Sequence, residues 1–196
     1  MAKPTEGKGA QTRRAILDAA IVRFGREGYR ATSVADIARD ASVGGTVAYA
    51  YFPNKEALFL AAIDEDAAAV ISEGMHSVAR ATVNWRQTLF FTMVEAVERH
   101  PLARRLLAGL EPEVTERVLE IPALEELRKA VAERMRSDQP TGLVRTDIDP
   151  NAMANGVVAI LLSLLMSVTQ LGSSIAEHYA GDVATVFQAA IDRSPS

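Results

Sequence analysis

Ala31-Thr32-Ser33-Val34-Ala35-Asp36-Ile37-Ala38-Arg39-Asp40-Ala41-Ser42-Val43-Gly44-Gly45-Thr46-Val47-Ala48-Tyr49-Ala50-Tyr51-Phe52-Pro53-Asn54-Lys55-Glu56-Ala57-Leu58 is the stretch that decides how this chain folds. Ser33 followed by Asp36 is a capping-box-like start, so a short helix is expected from about Val34 to Ala41, with Val34, Ile37, Ala38 and Ala41 facing inward. Ser42-Val43-Gly44-Gly45 breaks that periodicity, and Thr46 to Phe52 resumes it for a third helix. Pro53 ends the third helix and Asn54 is placed to cap a fourth. Upstream, Ile16, Leu17, Ala20, Ile21 and Phe24 form one apolar stripe from Thr12 that halts at Gly28, a residue suited to the position just past a helix end. Two short helices joined by a tight glycine-containing turn, behind a longer one, have the shape of a helix-turn-helix.

Working outward, the fourth helix begins Lys55-Glu56-Ala57-Leu58-Phe59 and runs to about Ser77, a length that suits a connector between two lobes. Further helices are expected over Trp85 to Arg99, Pro101 to Ala108, Pro112 to Leu119, Pro122 to Arg136, Pro150 to Leu171 and about Gly181 to Arg193. Several open on proline, whose missing N–H costs nothing at the first helical position. Asp149 is a good N-cap and Gly172 a good stop, while Ser137 to Asp149 reads as a loop. No run alternates with period two for long enough to make a strand, so the expected fold class is all-α.

The 196 residues suffice for a real core, and the absence of cysteine excludes disulfides, thiolate metal sites and cysteine nucleophiles. A cytoplasmic location is the expectation, and the polar start from Met1 to Gln11 reads as a flexible arm. Through Phe59 the chain carries nine Lys or Arg against six Asp or Glu, net +3; the remainder is net −7, giving the overall −4. Phosphate therefore prefers the first part. Asn151 to Ala176 holds no charged residue, but its apolar heart, Gly156 to Val168, is short for a bilayer span of roughly 20 residues. It is expected to be buried all round, inside a subunit or between two, with no membrane partner. His76, His100 and His178 have no ligand spacing, and no phosphate loop or nucleophile elbow is found. No enzyme activity and no cofactor are expected.

The segments Ala31 to Ala38, Ala41 to Val43 and Tyr49 to Leu58, with their Tyr-x-Tyr-Phe-x-x-Lys-Glu-x-Leu ending, resemble the signature of the TetR (tetracycline-repressor-like) family of transcriptional regulators. The resemblance is ungapped over roughly Thr12 to Phe59. It implies a DNA-binding helix-turn-helix domain with its arm over residues 1–54 and a helical ligand-binding and dimerisation domain over residues 55–196. Thr32, Ser33, Tyr49, Tyr51 and Lys55 would then touch phosphates, with Lys8, Arg13 and Arg14 adding contacts, and Gly45, Thr46 and Val47 would meet base edges in the major groove. The methyls of Thr46 and Val47 suit a thymine methyl. Here the chain departs from the family pattern, which usually has a polar side chain near Gly45 and often a histidine near Ala50. The recognition helix is thus poor in hydrogen-bonding groups. Phe52 reads as a core aromatic. Lys55 opposes the dipole at a helix start, which hints at a use beyond solvation.

By the same resemblance, the last two long helices pair with their copies as a homodimer, and two reading helices roughly 34 Å apart imply a near-palindromic operator on double-stranded DNA. A small, largely apolar effector is the other implied partner. Met75, Trp85, Phe90, Met93, Leu106, Leu110, Met135, Met153 and Met166 are candidate pocket residues, because Met and aromatic side chains adapt to apolar molecules. The rival reading is a helical interaction or ligand-binding module that kept this architecture while losing operator recognition.

Overall fold

Helix α1 (Lys8–Ala31) buries the stripe read from the sequence, Ile16, Leu17, Ala20 and Phe24. It opens one turn before Thr12 and outlasts Gly28, so the expected stop is a kink. The computed structural model describes residues 7–81 and 84–192; the arm residues 1–6, Lys3 among them, and the expected helix end at Arg193 lie outside. At Gly28 the backbone takes φ 84°, a left-handed value costly for a side chain. A Cβ there would also collide with the Arg105 guanidinium and stand 2.7 Å from Glu111 Oε1.

Helix α2 (Val34–Asp40) starts on Ser33, whose Oγ accepts from Asp36 N at 3.1 Å and donates to Asp36 Oδ2 at 2.6 Å. The turn into α3 (Gly45–Tyr51) places Ser42, not a glycine, in the left-handed region at φ 56°. Helix α4 (Lys55–Arg80) is capped by Asn54 Oδ1, which accepts from Ala57 N at 2.7 Å, and runs one turn past Ser77. Its first turns belong to the N-terminal core. Phe59 packs edge-on to Phe24 with centroids 4.8 Å apart and lies 4.7 Å from Tyr29.

Beyond α4 come α5 (Trp85–Arg99), α6 (Pro101–Leu107), α7 (Pro122–Asp138), α8 (Pro150–Leu171) and α9 (Ser173–Ile191), with no strand among the described residues. Two expectations need correction. Pro112–Glu120 is a 3₁₀ helix, and α9 starts directly after Gly172, not near Gly181, because Gly172 at φ 98° turns the chain within one residue.

Helix α4 is the hub. It packs on α1 and α6 and on α5 and α7, while α7 packs on α8 and α8 on α9. Its C-terminal carbonyls are met from α7: Arg134 Nη1 donates to Val78 O at 2.9 Å and Ala81 O at 2.6 Å. Asp138 pairs with Arg134 Nε and accepts from Trp85 Nε1 at 3.1 Å, so a buried carboxylate ties the ends of α4, α5 and α7 together.

Helix α8 is long and apolar enough to cross a membrane by length and composition. Within this subunit it is buried on one side only, which leaves burial between two subunits as the remaining form of the sequence expectation. Ala154, Val157, Val158, Leu161, Leu165 and Val168 face the core, whereas Gly156, Ala159, Ile160, Ser163 and Ser167 are exposed.

Candidate nucleic-acid interface and ligand cavity

Helix α3 is fixed by one small side chain. Ala48 is fully buried, while Thr46 and Ala50 are exposed and Val47 and Tyr49 are 40% and 52% exposed. Seven residues with a single buried methyl present nearly their whole surface outward. Gly44 and Gly45 stand at the start of that surface. Gly44 has an ordinary φ of −70°, and a Cβ at Gly45 would meet nothing within 4 Å. Neither glycine is demanded by the turn or by packing, so what they supply is bare backbone.

The other candidate contacts divide. Ser33 shares the exposed side, but Thr32 is 3% exposed and its hydroxyl donates to Gly28 O at 2.8 Å, which withdraws it from the outer surface. Tyr51 is half-buried with its hydroxyl beside Gly9 in the first turn of α1. Phe52 is buried as expected, and the Arg13 guanidinium lies 5.1 Å from its ring centroid. Lys55 holds its ammonium 4.3 Å over the Tyr29 ring, a cation–π seat at the start of α4 that offsets the unfavourable dipole. Arg14 is engaged by Asp18 and Glu65.

The carboxylates of this lobe are neutralised locally. Arg23 donates to both oxygens of Asp40, at 2.6 and 3.0 Å, and to Glu27. That guanidinium holds the Asp40 carboxyl below its ordinary value, and the Ser33 hydroxyl, then Arg39, does the same for Asp36. Both carboxylates stay ionised at neutral pH yet present little bare negative charge toward a phosphate.

An apolar cavity of about 50 Å³ lies among α4, α5, α6, the 3₁₀ helix, α7 and α8, walled by aliphatic side chains such as Val70, Ile71, Leu124, Leu127 and Leu165. Of the sequence candidates, Met93 and Leu106 line it and Phe90 lines a neighbouring cavity. The rest lie elsewhere. Trp85 and Met135 are buried in the core, Met75 borders a shallow polar depression, Leu110 is exposed, and Met153 and Met166 pack at the core margin.

Helix α6 joins the cavity to the N-terminal helices. Its Ala103, Leu106 and Leu107 wall the cavity. Its Pro101 touches α1 so closely that a Cβ at Gly25 would stand 2.7 Å from Pro101 Cβ. Asp66 of α4, 3% exposed, accepts from Leu102 N at 3.0 Å, Ala103 N at 2.8 Å and His100 Nδ1 at 2.7 Å. Just beyond α6, Glu111 accepts from Tyr29 N at 3.1 Å and Arg105 Nε at 2.6 Å, and Glu113 pairs with Arg30. The sequence reading missed Asp66 and Glu111, because a member of an acidic cluster such as Asp64-Glu65-Asp66 or Glu111-Pro112-Glu113 looks solvated until the fold buries it.

Residues 16–62 match the family model described as bacterial regulatory proteins, tetR family. The chain is 29% identical over 164 residues to the A-factor receptor protein of Streptomyces griseus, covering 79% of this chain and 54% of that protein. It is 28% identical over 92 residues to the HTH-type transcriptional repressor KstR of Rhodococcus jostii (strain RHA1), covering 47% of this chain and 43% of that protein. The matched regions thus span about half the length of these curated relatives. Among solved structures, a TetR-family transcriptional regulator from Cytophaga hutchinsonii superposes with a TM-score of 0.71 at 17% identity, over 96% of this chain and 98% of that one, a likeness of fold.

Proposed function

We propose that this chain, whose residues 16–62 match the tetR family of bacterial regulatory proteins, is a member of that family and a transcriptional regulator, a repressor that grips a near-palindromic operator as a homodimer and answers to a small, largely apolar effector. The observation that carries the reading is α3 itself, a helix held by buried Ala48 with Thr46, Val47 and Tyr49 outward behind two bare glycines. A helix this sparse in bulk can lie deep in a major groove, with Thr46 and Val47 against base edges and Tyr49 at the backbone. Ser33, Tyr51 and Lys55 flank it as phosphate contacts, while Thr32 acts from within by locking the kink at Gly28. The regulator works where DNA is, in the cytoplasm.

The exposed stripe of α8 supports pairing with a second copy. Ser163 Oγ donates to Ala159 O at 3.0 Å and Ser167 Oγ to Ser163 O at 2.9 Å, so these hydroxyls are satisfied within their own helix and the face can be desolvated at little cost. Exposed Ile160 and, on α9, Val186 add apolar area. The effector occupies the apolar cavity. Because that cavity is walled in part by α6, a ligand that displaces Leu106 and Leu107 moves Pro101 against Gly25 and tilts α1 with its reading head. Only a ligand with different affinity for the two arrangements shifts the balance.

Fluorescence anisotropy of the full chain with labelled DNA from upstream of its own coding sequence tests the reading. Sequence-selective binding that weakens steeply with salt is expected. Binding no tighter than to unrelated DNA contradicts it and favours the helical module without operator recognition.

A further inference from the structure

Two cavities lie in line along the groove between α5 and α8, and Leu161 lines both. Helix α5 gives Leu89 and Phe90 to the outer cavity and, a turn later, Met93 and Val97 to the inner one. The outer cavity, about 120 Å³, has a polar rim of Asn84, Arg86, Gln87 and Gln188 where α9 closes over it. The inner cavity, about 50 Å³, is lined by aliphatic side chains and Met93 among the described residues.

The rim decides the chemistry of the head. Among the described residues Arg86 is its one charged lining residue, and Arg86 Nη2 already lies 2.6 Å from Asp192 Oδ1, with its guanidinium 5.5 Å from the Trp85 ring. A carboxylate entering there meets Asp192 and an ammonium meets Arg86, so either ion has to break a formed pair or face a like charge. The primary amides of Asn84, Gln87 and Gln188 carry no such conflict and both donate and accept. Beyond the rim, a tail passing Leu161 reaches aliphatic walls where each methylene taken out of water strengthens binding.

Resting on the effector reading above, we propose that the ligand is an elongated amphiphile with an uncharged hydrogen-bonding head, an alcohol, ester or amide, seated at Gln87 and Gln188. Its hydrocarbon tail runs past Leu161 into the inner cavity and presses on Leu106 and Leu107. Head recognition and switching are therefore separate: the outer cavity selects and the inner one moves α6.

The test uses the full-length protein, with its lone tryptophan, Trp85, beside the rim as the fluorescent reporter. It is titrated at neutral pH with 1-decanol, decanoate and decyltrimethylammonium, each below its aggregation concentration, and DNA release is read in parallel. The expected result is decanol binding about tenfold or more tighter than either ion, with Leu161→Phe, which plugs the shared wall and leaves Trp85 the lone tryptophan, weakening decanol by about tenfold. Leu161→Ala, which opens the shared wall, is expected to hold decanol at least as well as the parent and keeps the test sound if the phenylalanine variant misfolds. Either ion binding as tightly as decanol, a plugged variant with unchanged affinity, or no binding by any probe overturns the proposal. If an ion or a host-cell metabolite extract still releases the DNA, the effector reading survives that failure; if none does, it falls as well.

Discussion

Replacing Asp66 with alanine removes the acceptor that joins α4 to the start of α6. The carboxylate is buried and takes two backbone N–H groups, from Leu102 at 3.0 Å and Ala103 at 2.8 Å, besides His100 Nδ1. Leu102 is wholly buried, so its N–H has poor access to replacement water. A buried donor left unpaired costs about 1–3 kcal/mol, which makes about 2–6 kcal/mol for the pair. For a chain of this size each kcal/mol shifts the melting temperature by about 2–4 °C, so a fall of about 12 °C is expected at the centre of that range. In Asp66→Asn the amide oxygen can stand in for Oδ2 and keep both backbone N–H bonds, with the N–H₂ toward His100 Nδ1, so the loss is expected to be well under half as much. Thermal unfolding by circular dichroism at fixed protein concentration reads both. A fall of less than about 3 °C for Asp66→Ala would refute the reasoning, because the two amides would then have found other partners at no cost.

Gly45→Ala sets a Cβ in open space, so stability is expected to hold or rise by up to about 1 kcal/mol in urea melts while DNA affinity drops, separating groove approach from fold. Gly25→Ala drives a Cβ to 2.7 Å from Pro101 and is expected to cost about 1–3 kcal/mol and to weaken the response of DNA binding to effector, as seen by melts and anisotropy side by side. Ile160→Glu charges the exposed face of α8 and is expected to shift the sedimentation equilibrium from dimer to monomer without unfolding. For pH, Asp40 is held by Arg23 below its ordinary 3.8, so its contribution is complete above that value and lost as pH falls through the lowered one. Melting curves between pH 5 and about 2.5 are expected to show Asp40→Asn less sensitive to acid than the parent over that window.

Local chemistry was the legible part. Ser33 and Asp36 announce α2, and Asp149, Pro150 and Gly172 bracket α8 to the residue, because caps and stops act over a few positions of chain. Gly28 was misread because a glycine at a helix end and one at a kink look alike; what carries α1 onward includes Arg105 and Glu111, some eighty residues away. The start of α9 was missed for a similar reason, since Gly172 both ends one helix and turns into the next.

At the site, Thr46, Val47 and Tyr49 stand outward as the family resemblance implied, but nothing local shows that Thr32 would turn its hydroxyl inward to Gly28. Selecting methionines, aromatics and two leucines found Met93 and Leu106 and not Val70, Leu124 or Leu127, because an aliphatic side chain facing a void has the same sequence pattern as one facing its neighbours. Trp85 looked like a ligand platform, yet its indole N–H is bonded to Asp138.

The most direct measurement uses the chain's freedom from cysteine. Val47→Cys places a single thiol on the outer face of α3, and Leu143→Cys places one on the exposed loop before α8. Each variant is mixed under equilibrium thiol exchange with operator DNA carrying a disulfide tether on a major-groove base edge. Rapid, position-dependent cross-linking by Val47→Cys and none by Leu143→Cys is expected; equal or absent cross-linking by both would contradict the claim that α3 reads the groove.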